Sequence, residues 1–178
     1  MNKLIFSFFL FLNLPIFAQN KSPFIQDALS KWKGMKSYTL EVAEKMPEVK
    51  YSYQPVSDES TFAFQLVHMA NNMYSISSKL LRNTSSPVDL KSFETKVKEN
   101  KISKKEIIEH LSNAFDYTSE TFTLLTDKTL EEELDYWGGH STKRKIVFLL
   151  NDHQTHHRGQ LIVYLRLNGI VPPKYIGW

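Results

Sequence analysis

Apolar residues return at helical spacing through four long stretches of this chain, and no series of strand-like alternation accompanies them. A chain patterned that way must bury its helical stripes against one another. The first stretch runs from about Pro23 to Met46, with Phe24, Ala28, Trp32, Met35, Tyr38 and Val42 on one side. Pro23 suits a helix start and Pro47 ends the pattern. After a short extended connection, Tyr51 to Pro55, the second runs from near Ser57 to about Leu81. Phe64, Val67, His68, Met73 and Ile76 mark its apolar side. Asn83 to Pro87 reads as a loop, and Lys91 to Lys101 as a charged, weakly patterned excursion. Ser103 with Glu106 three residues on is a capping-box signal, because the two side chains can satisfy free amides at a helix start. The third helix then extends to about Leu125. Thr126 to Gly139 is irregular and acidic. The fourth helix spans about Ser141 to Asn168, with Gly169 as its stop and Pro172-Pro173 preventing resumption. With 178 residues there is room for one core. The expected fold is all-α, a four-helix bundle.

The N-terminus has a different character. Lys3 precedes an apolar run from Leu4 to Phe17, and Ala18 follows. This reads as a signal peptide over residues 1–18, cleaved after Ala18, with the bundle domain over 19–178. The run is short for a membrane span, and Pro15 interrupts it, so no stable membrane insertion is expected once it is removed. The protein is therefore expected to be exported, either periplasmic or secreted. No cysteine follows the cut, which excludes a lipid-anchored lipoprotein. The chain has no cysteine at all. That excludes disulfides, thiolate zinc sites, iron–sulfur clusters, c-type haem attachment and cysteine nucleophiles. A net charge of +3 is too small to imply a nucleic-acid partner. Lys143-Arg144-Lys145 and the lysines between 96 and 105 read as helix-end and solvated residues. Neither a phosphate-cradling glycine loop nor a nucleophile-elbow serine is present.

The chemistry left to the chain lies in six histidines, three of them within residues 153–157. On a helical wheel His153 and His157 fall about 40° apart, on the stripe of Ile146, Leu149, Leu150, Leu161 and Tyr164. His156 sits at its edge, and Arg158 and Arg166 fall on the far side. Two buried imidazoles without partners are costly, and a divalent ion resolves that cost. His68, in mid-helix on the line of Thr61, Phe64, Asn72 and Ser75, is the best third donor. His110 and His140 are poorer. Spacing alone leaves the pair open between a metal site, a surface pair and a hydrogen-bonded core pair, and a lone histidine such as His68 is commonly a satisfied core residue. Positions 154 and 155 are Gln and Thr, so the His-Glu-x-x-His protease motif is missing. Gln65 and Asn72 near His68, and Gln160 and Tyr164 near His157, are candidates for orienting the rings.

The segment Asn151-Asp-His-Gln-Thr-His-His-Arg-Gly-Gln160, followed by Leu-Ile-Val-Tyr-Leu-Arg-Leu-Asn-Gly169 and Pro172-Pro173, resembles the C-terminal signature of the DinB family of bacterial four-helix-bundle proteins. Tyr51-Ser-Tyr-Gln-Pro55 before Phe64-Gln-Leu-Val-His68, and the Gly138-Gly139 pair, fit the same family pattern. The resemblance covers essentially the whole chain beyond the leader and implies a metal site of His68, His153 and His157, with His156 not ligating. It also implies a homodimer. The better-understood relatives act on cytoplasmic low-molecular-weight thiols, and the secretion signal departs from that pattern. Three ligands leave positions open to chemistry. The expected function is a metal-dependent hydrolase or transferase acting on an unknown small-molecule substrate. The alternative is a non-catalytic bundle that binds metal or a small ligand. Zinc or nickel suits the donors best, with iron or manganese next.

Overall fold

The computed structural model describes residues 22–178. The expected signal peptide lies outside the described residues. Six helices and one short hairpin follow in the order α1 (Pro23–Lys45), α2 (Phe62–Ile76), α3 (Leu90–Lys98), α4 (Lys104–Thr123), α5 (Asp127–Leu130), β1 (Glu133–Tyr136), β2 (Gly139–Thr142) and α6 (Lys143–Leu167). The four long helices are α1, α2, α4 and α6. Around the core α1 touches α4, α4 touches α2, α2 touches α6, and α6 closes back on α1.

Local chemistry sets the helix ends. Ser22 caps α1 by accepting from the Ile25 amide. Thr61 caps α2, accepting from the Phe64 amide at 3.1 Å. This helix starts later than Ser57, because Gln54 Nε2 donates to the Ser57 carbonyl at 3.0 Å and also to the Glu59 carbonyl. Those bonds hold the preceding residues in a turn. Beyond Ile76 the helix widens into a π-helical segment, Ser77–Arg82, that ends at left-handed Asn83 (φ 55°). The Ser103–Glu106 capping box forms as its spacing predicts. The charged excursion is partly ordered as α3, which Asp89 caps.

The segment expected to be irregular contains a hairpin, so the fold is mostly helical rather than purely so. Glu133 pairs with Thr142 and Tyr136 with Gly139. Gly139 has φ +109°, a left-handed conformation that favours glycine, and a Cβ on Gly138 would meet the Tyr136 ring at 2.6 Å unless that ring moved. Strands of four residues are too short to show a period in sequence.

The core is dense in aromatics. Trp32 on α1 donates its indole N–H to the Phe115 carbonyl at 3.0 Å, and its ring meets those of Phe115 and Phe122 on α4 at 5.3 and 5.2 Å. Burial of such side chains contributes roughly 1.5–3 kcal/mol each. One wheel expectation fails. Arg158 is buried, not on a solvent-facing side. Because α6 packs against both α1 and α2, its buried surface is wider than one stripe and takes in Gln154 and Arg158. The Arg158 guanidinium lies 4.9 Å over the Tyr38 ring and donates to Thr39 Oγ1 at 3.3 Å. As a result, His153 and His157 sit half-buried at the edge of the stripe, and Leu149 is only partly buried.

Candidate metal centre

The seam between α2 and α6 brings three of the six histidines together. His68 stands on the half-buried line of Thr61, Phe64, Asn72 and Ser75, where α2 turns toward α6. From α6, His153 and His157 project one turn apart. His153 Nε2 lies 3.1 Å from His68 Nε2 and 3.2 Å from His157 Nε2. The three donor atoms all fall within 4.8 Å of one another.

The separations can be tested against an ion. With metal–nitrogen bonds near 2.05 Å, two ligands of a tetrahedral site stand about 3.3 Å apart. The observed 3.1 and 3.2 Å match that spacing with little movement. The group of three histidines can therefore hold a metal ion.

The hydrogen-bond partners assign the protons. His157 Nδ1 faces two amide oxygens, Gln65 Oε1 at 2.5 Å and Gln160 Oε1 at 3.2 Å. Nδ1 therefore carries the proton and donates, and the lone pair of Nε2 points into the cluster. Gln65 also hydrogen-bonds Tyr164, whose hydroxyl donates to the Ser60 carbonyl at 2.9 Å. A chain of partners thus fixes the His157 ring. His153 differs, because its Nδ1 lies 3.4 Å from Gln154 Nε2, a donor.

Burial, reinforced by the neighbouring rings, pushes His153 down to about 3 and His157 down to about 4. Burial also lowers His68, with the Glu94 carboxylate opposing it. All three rings are thus neutral near pH 7, the state a ligand needs.

The remaining histidines do other things. His156 is exposed at the rim, 3.4 Å from Gln160 Nε2. His110 is buried in the core, donating from Nε2 to Asn71 Oδ1 at 2.9 Å. His140 sits in the hairpin between Asp135 and Glu133 at 2.8 and 3.3 Å, which raise its pKa. Of the orienting residues expected from sequence, Gln160 serves His157 directly. Gln65 serves His157, not His68, because it reaches across the seam. Tyr164 acts through Gln65. Asn72 Oδ1 is buried without a partner. Gln154 was not anticipated. Its only signal is its place beside His153 on a helix that buries two faces. A cleft of about 640 Å³ between α1 and α4 contains none of these histidines. Lys104 at its edge is already engaged by the Glu44 and Met46 carbonyls and the Glu44 carboxylate.

The sequence model of the DinB family matches residues 19–176. The chain belongs to the DinB family. Among curated proteins, this DinB-family chain is 29% identical over 148 residues to the uncharacterized protein YjoA of Bacillus subtilis strain 168, covering 79% of this chain and 88% of that one. It is 36% identical over 66 residues to the uncharacterized protein YrdA of the same organism, covering 37% and 38% of the two chains. Among solved structures it resembles a DinB-like protein of Bacillus cereus ATCC 10987, with a TM-score of 0.67, 22% identity and coverage of 85% of this chain and 97% of that one. It also resembles the crystal structure of the Bacillus subtilis DinB-like protein YjoA, with a TM-score of 0.64, 23% identity and coverage of 84% and 97%. These likenesses show the fold.

Proposed function

We propose that His68, His153 and His157 hold one divalent transition-metal ion, zinc or nickel before iron or manganese, and that the protein is a metal-dependent hydrolase or transferase of a small molecule. One observation carries the reading: three neutral imidazoles from two helices converge at a half-buried edge of the core, with His153 Nε2 3.1 and 3.2 Å from the Nε2 atoms of His68 and His157 and all three donor atoms within 4.8 Å of one another. A bound ion supplies Lewis-acid polarisation of a substrate oxygen or sulfur. The chain's own residues do the rest. Gln65 and Gln160 hold the His157 ring with its lone pair inward. Leu66, Val67 and Met69, neighbours of His68 on α2, are fully buried in the core. The half-buried faces leave the other side open to substrate. We further propose that the chain is exported, as the basic-then-apolar composition of residues 1–18 supports, and that it forms a homodimer. Among the described residues no helix is long and apolar enough to cross a membrane.

Elemental analysis of the purified protein tests the site. One ion per chain is expected in the wild type, and its loss in His68→Ala and in His153→Ala. Equal metal content in all three proteins removes these histidines from the site. Ester or thiol-adduct turnover that disappears in His153→Ala separates an enzyme from a binding protein.

A further inference from the structure

Two of the three clustered rings have their second nitrogen met by side chains. Nδ1 of His157 faces Gln65 and Gln160, and Nδ1 of His153 faces Gln154. His68 directs Nε2 toward His153, and no described residue hydrogen-bonds its Nδ1. A ligating imidazole usually donates its other N–H to a carboxylate, a carbonyl or a water, and that bond fixes the ring. The helix α3 can supply a carboxylate.

This helix lies antiparallel along α2. At one end Asn71 donates from Nδ2 to the Leu90 carbonyl at 2.9 Å, and at the other the Lys98 ammonium lies 5.5 Å from the centre of the Phe64 ring. Both helices advance by about 1.5 Å per residue. Glu94, midway between Leu90 and Lys98, therefore falls opposite the middle of the Phe64-to-Asn71 stretch, at Val67 and His68. Side chains at i and i+4 share a helix face. Leu90, Glu94 and Lys98 form one row, and Phe64, His68 and Asn72 form the row it meets. Phe93 fixes the roll of α3 by stacking on His110 of α4 with ring centroids 3.6 Å apart. Val67 is fully buried and apolar, so of the two residues opposite Glu94 only His68 offers a polar group. The same juxtaposition shows electrostatically, because the Glu94 carboxylate opposes the lowering of the His68 pKa by burial.

Glu94 is half-buried, and among the described residues it makes no hydrogen bond or ion pair. Acidic neighbours along the chain are engaged. Asp89 caps α3, Glu99 pairs with Lys101 at 2.9 Å, and Glu106 closes its capping box. The one carboxylate left over is the one that stands across from a candidate ligand.

We propose that Glu94 is a positioning residue for His68: its carboxylate accepts from His68 Nδ1–H, directly or across one water, and so holds the Nε2 lone pair toward His153 and His157. The inference rests on the metal reading above and brings a third helix into the centre. A neutral ring that donates from Nδ1 keeps Nε2 free as a ligand, and the negative charge nearby also favours a dication.

Zinc titration calorimetry of the wild type, Glu94→Ala and Glu99→Ala tests it, with a melt of each protein to confirm folding. Glu99 sits at the C-cap of α3, so its loss removes the same charge from the same element without removing a partner of His68. Glu94→Ala should weaken zinc binding about 10- to 100-fold, the usual scale for losing such a partner, and Glu99→Ala should leave it unchanged. In the zinc-loaded wild type, nitrogen-resolved histidine NMR should place the His68 Nδ1–H signal downfield of its position in Glu94→Gln, where the acceptor has lost its charge. Unchanged affinity in folded Glu94→Ala overturns the proposal, as do equal losses in the two alanine variants or a His68 Nδ1–H signal that is the same in wild type and Glu94→Gln. Each of these leaves the metal site standing. A wild type that binds no zinc, nickel, iron or manganese overturns the metal reading and this inference together.

Discussion

Acid should destabilise the metal-free protein through His110, a histidine that plays no part in the cluster. The His110 ring is 4% exposed. It stacks on Phe93 with ring centroids 3.6 Å apart and planes 8° apart, and lies 5.4 Å from Tyr74. Asn71 donates from Nδ2 to the Leu90 carbonyl at 2.9 Å, so its Oδ1 is turned to receive His110 Nε2–H. Burial alone pushes the ring down to about 4. The folded state therefore resists a proton that the unfolded chain accepts near pH 6.5. The stability held by the neutral ring is complete above about pH 6.5 and falls away as pH drops toward about 4, where both states are protonated. A displacement of about 2.5 units corresponds to about 3 kcal/mol in full, of which about 2 kcal/mol is lost by about pH 5. The comparison protein is His110→Gln, which keeps an N–H for Asn71 but does not titrate. Urea unfolding of both proteins, in chelator, at about pH 7.5 and about pH 5 gives four stabilities. The cluster histidines are present in both proteins and cancel in the double difference. Loss of the stacking on Phe93 offsets the variant equally at both pH values and cancels too. The wild type is expected to lose about 2 kcal/mol more than the variant on acidification. Parallel losses, equal within about 0.5 kcal/mol, would refute the argument that burial keeps His110 neutral.

Two further outcomes test the fold. Ser103→Ala removes one side of the capping box, whose Ser103 Oγ accepts from the Glu106 amide at 3.3 Å, and should lower stability by about 1 kcal/mol in urea titration; no change would mean that water replaces the cap without loss. Arg158→Met keeps the length of a buried side chain and removes its charge, while Thr39 Oγ1 keeps its bond to the Met35 carbonyl at 2.8 Å. Because burial already disfavours the charged guanidinium, thermal melting should show unchanged or slightly higher stability. A loss above about 2 kcal/mol would show that contact with the Tyr38 ring outweighs the desolvation.

Much of the architecture can be read from local chemistry. Pro23, Ser103 and Gly169 mark helix ends where ring, side chain or φ value requires them, and the periodicities of Trp32 and Leu161 find the core. The histidine pair was legible too, because residues one turn apart on a helix must share a face wherever that helix docks. Other features stayed hidden for a common reason. A wheel assumes one buried stripe, but α6 meets two neighbours, and this buries Arg158 and Gln154 and moves the histidines to an edge. His68 and His110 each lie within a patterned helix, and the sequence ranks His68 ahead without showing what either ring meets. Only the packing of α2 against both α4 and α6 turns one toward His153 and the other toward Asn71 and Phe93.

The sequence by itself determined that the chain is mostly helical, that a Ser103–Glu106 capping box starts one of its long helices, and that imidazole is its only soft nitrogen donor set. Tertiary structure decided which imidazoles meet and which amides hold them. Helical period is a property of neighbours along the chain, whereas a ligand set spans residues 85 positions apart, and only the docking of α2 on α6 can bring those within a metal's reach.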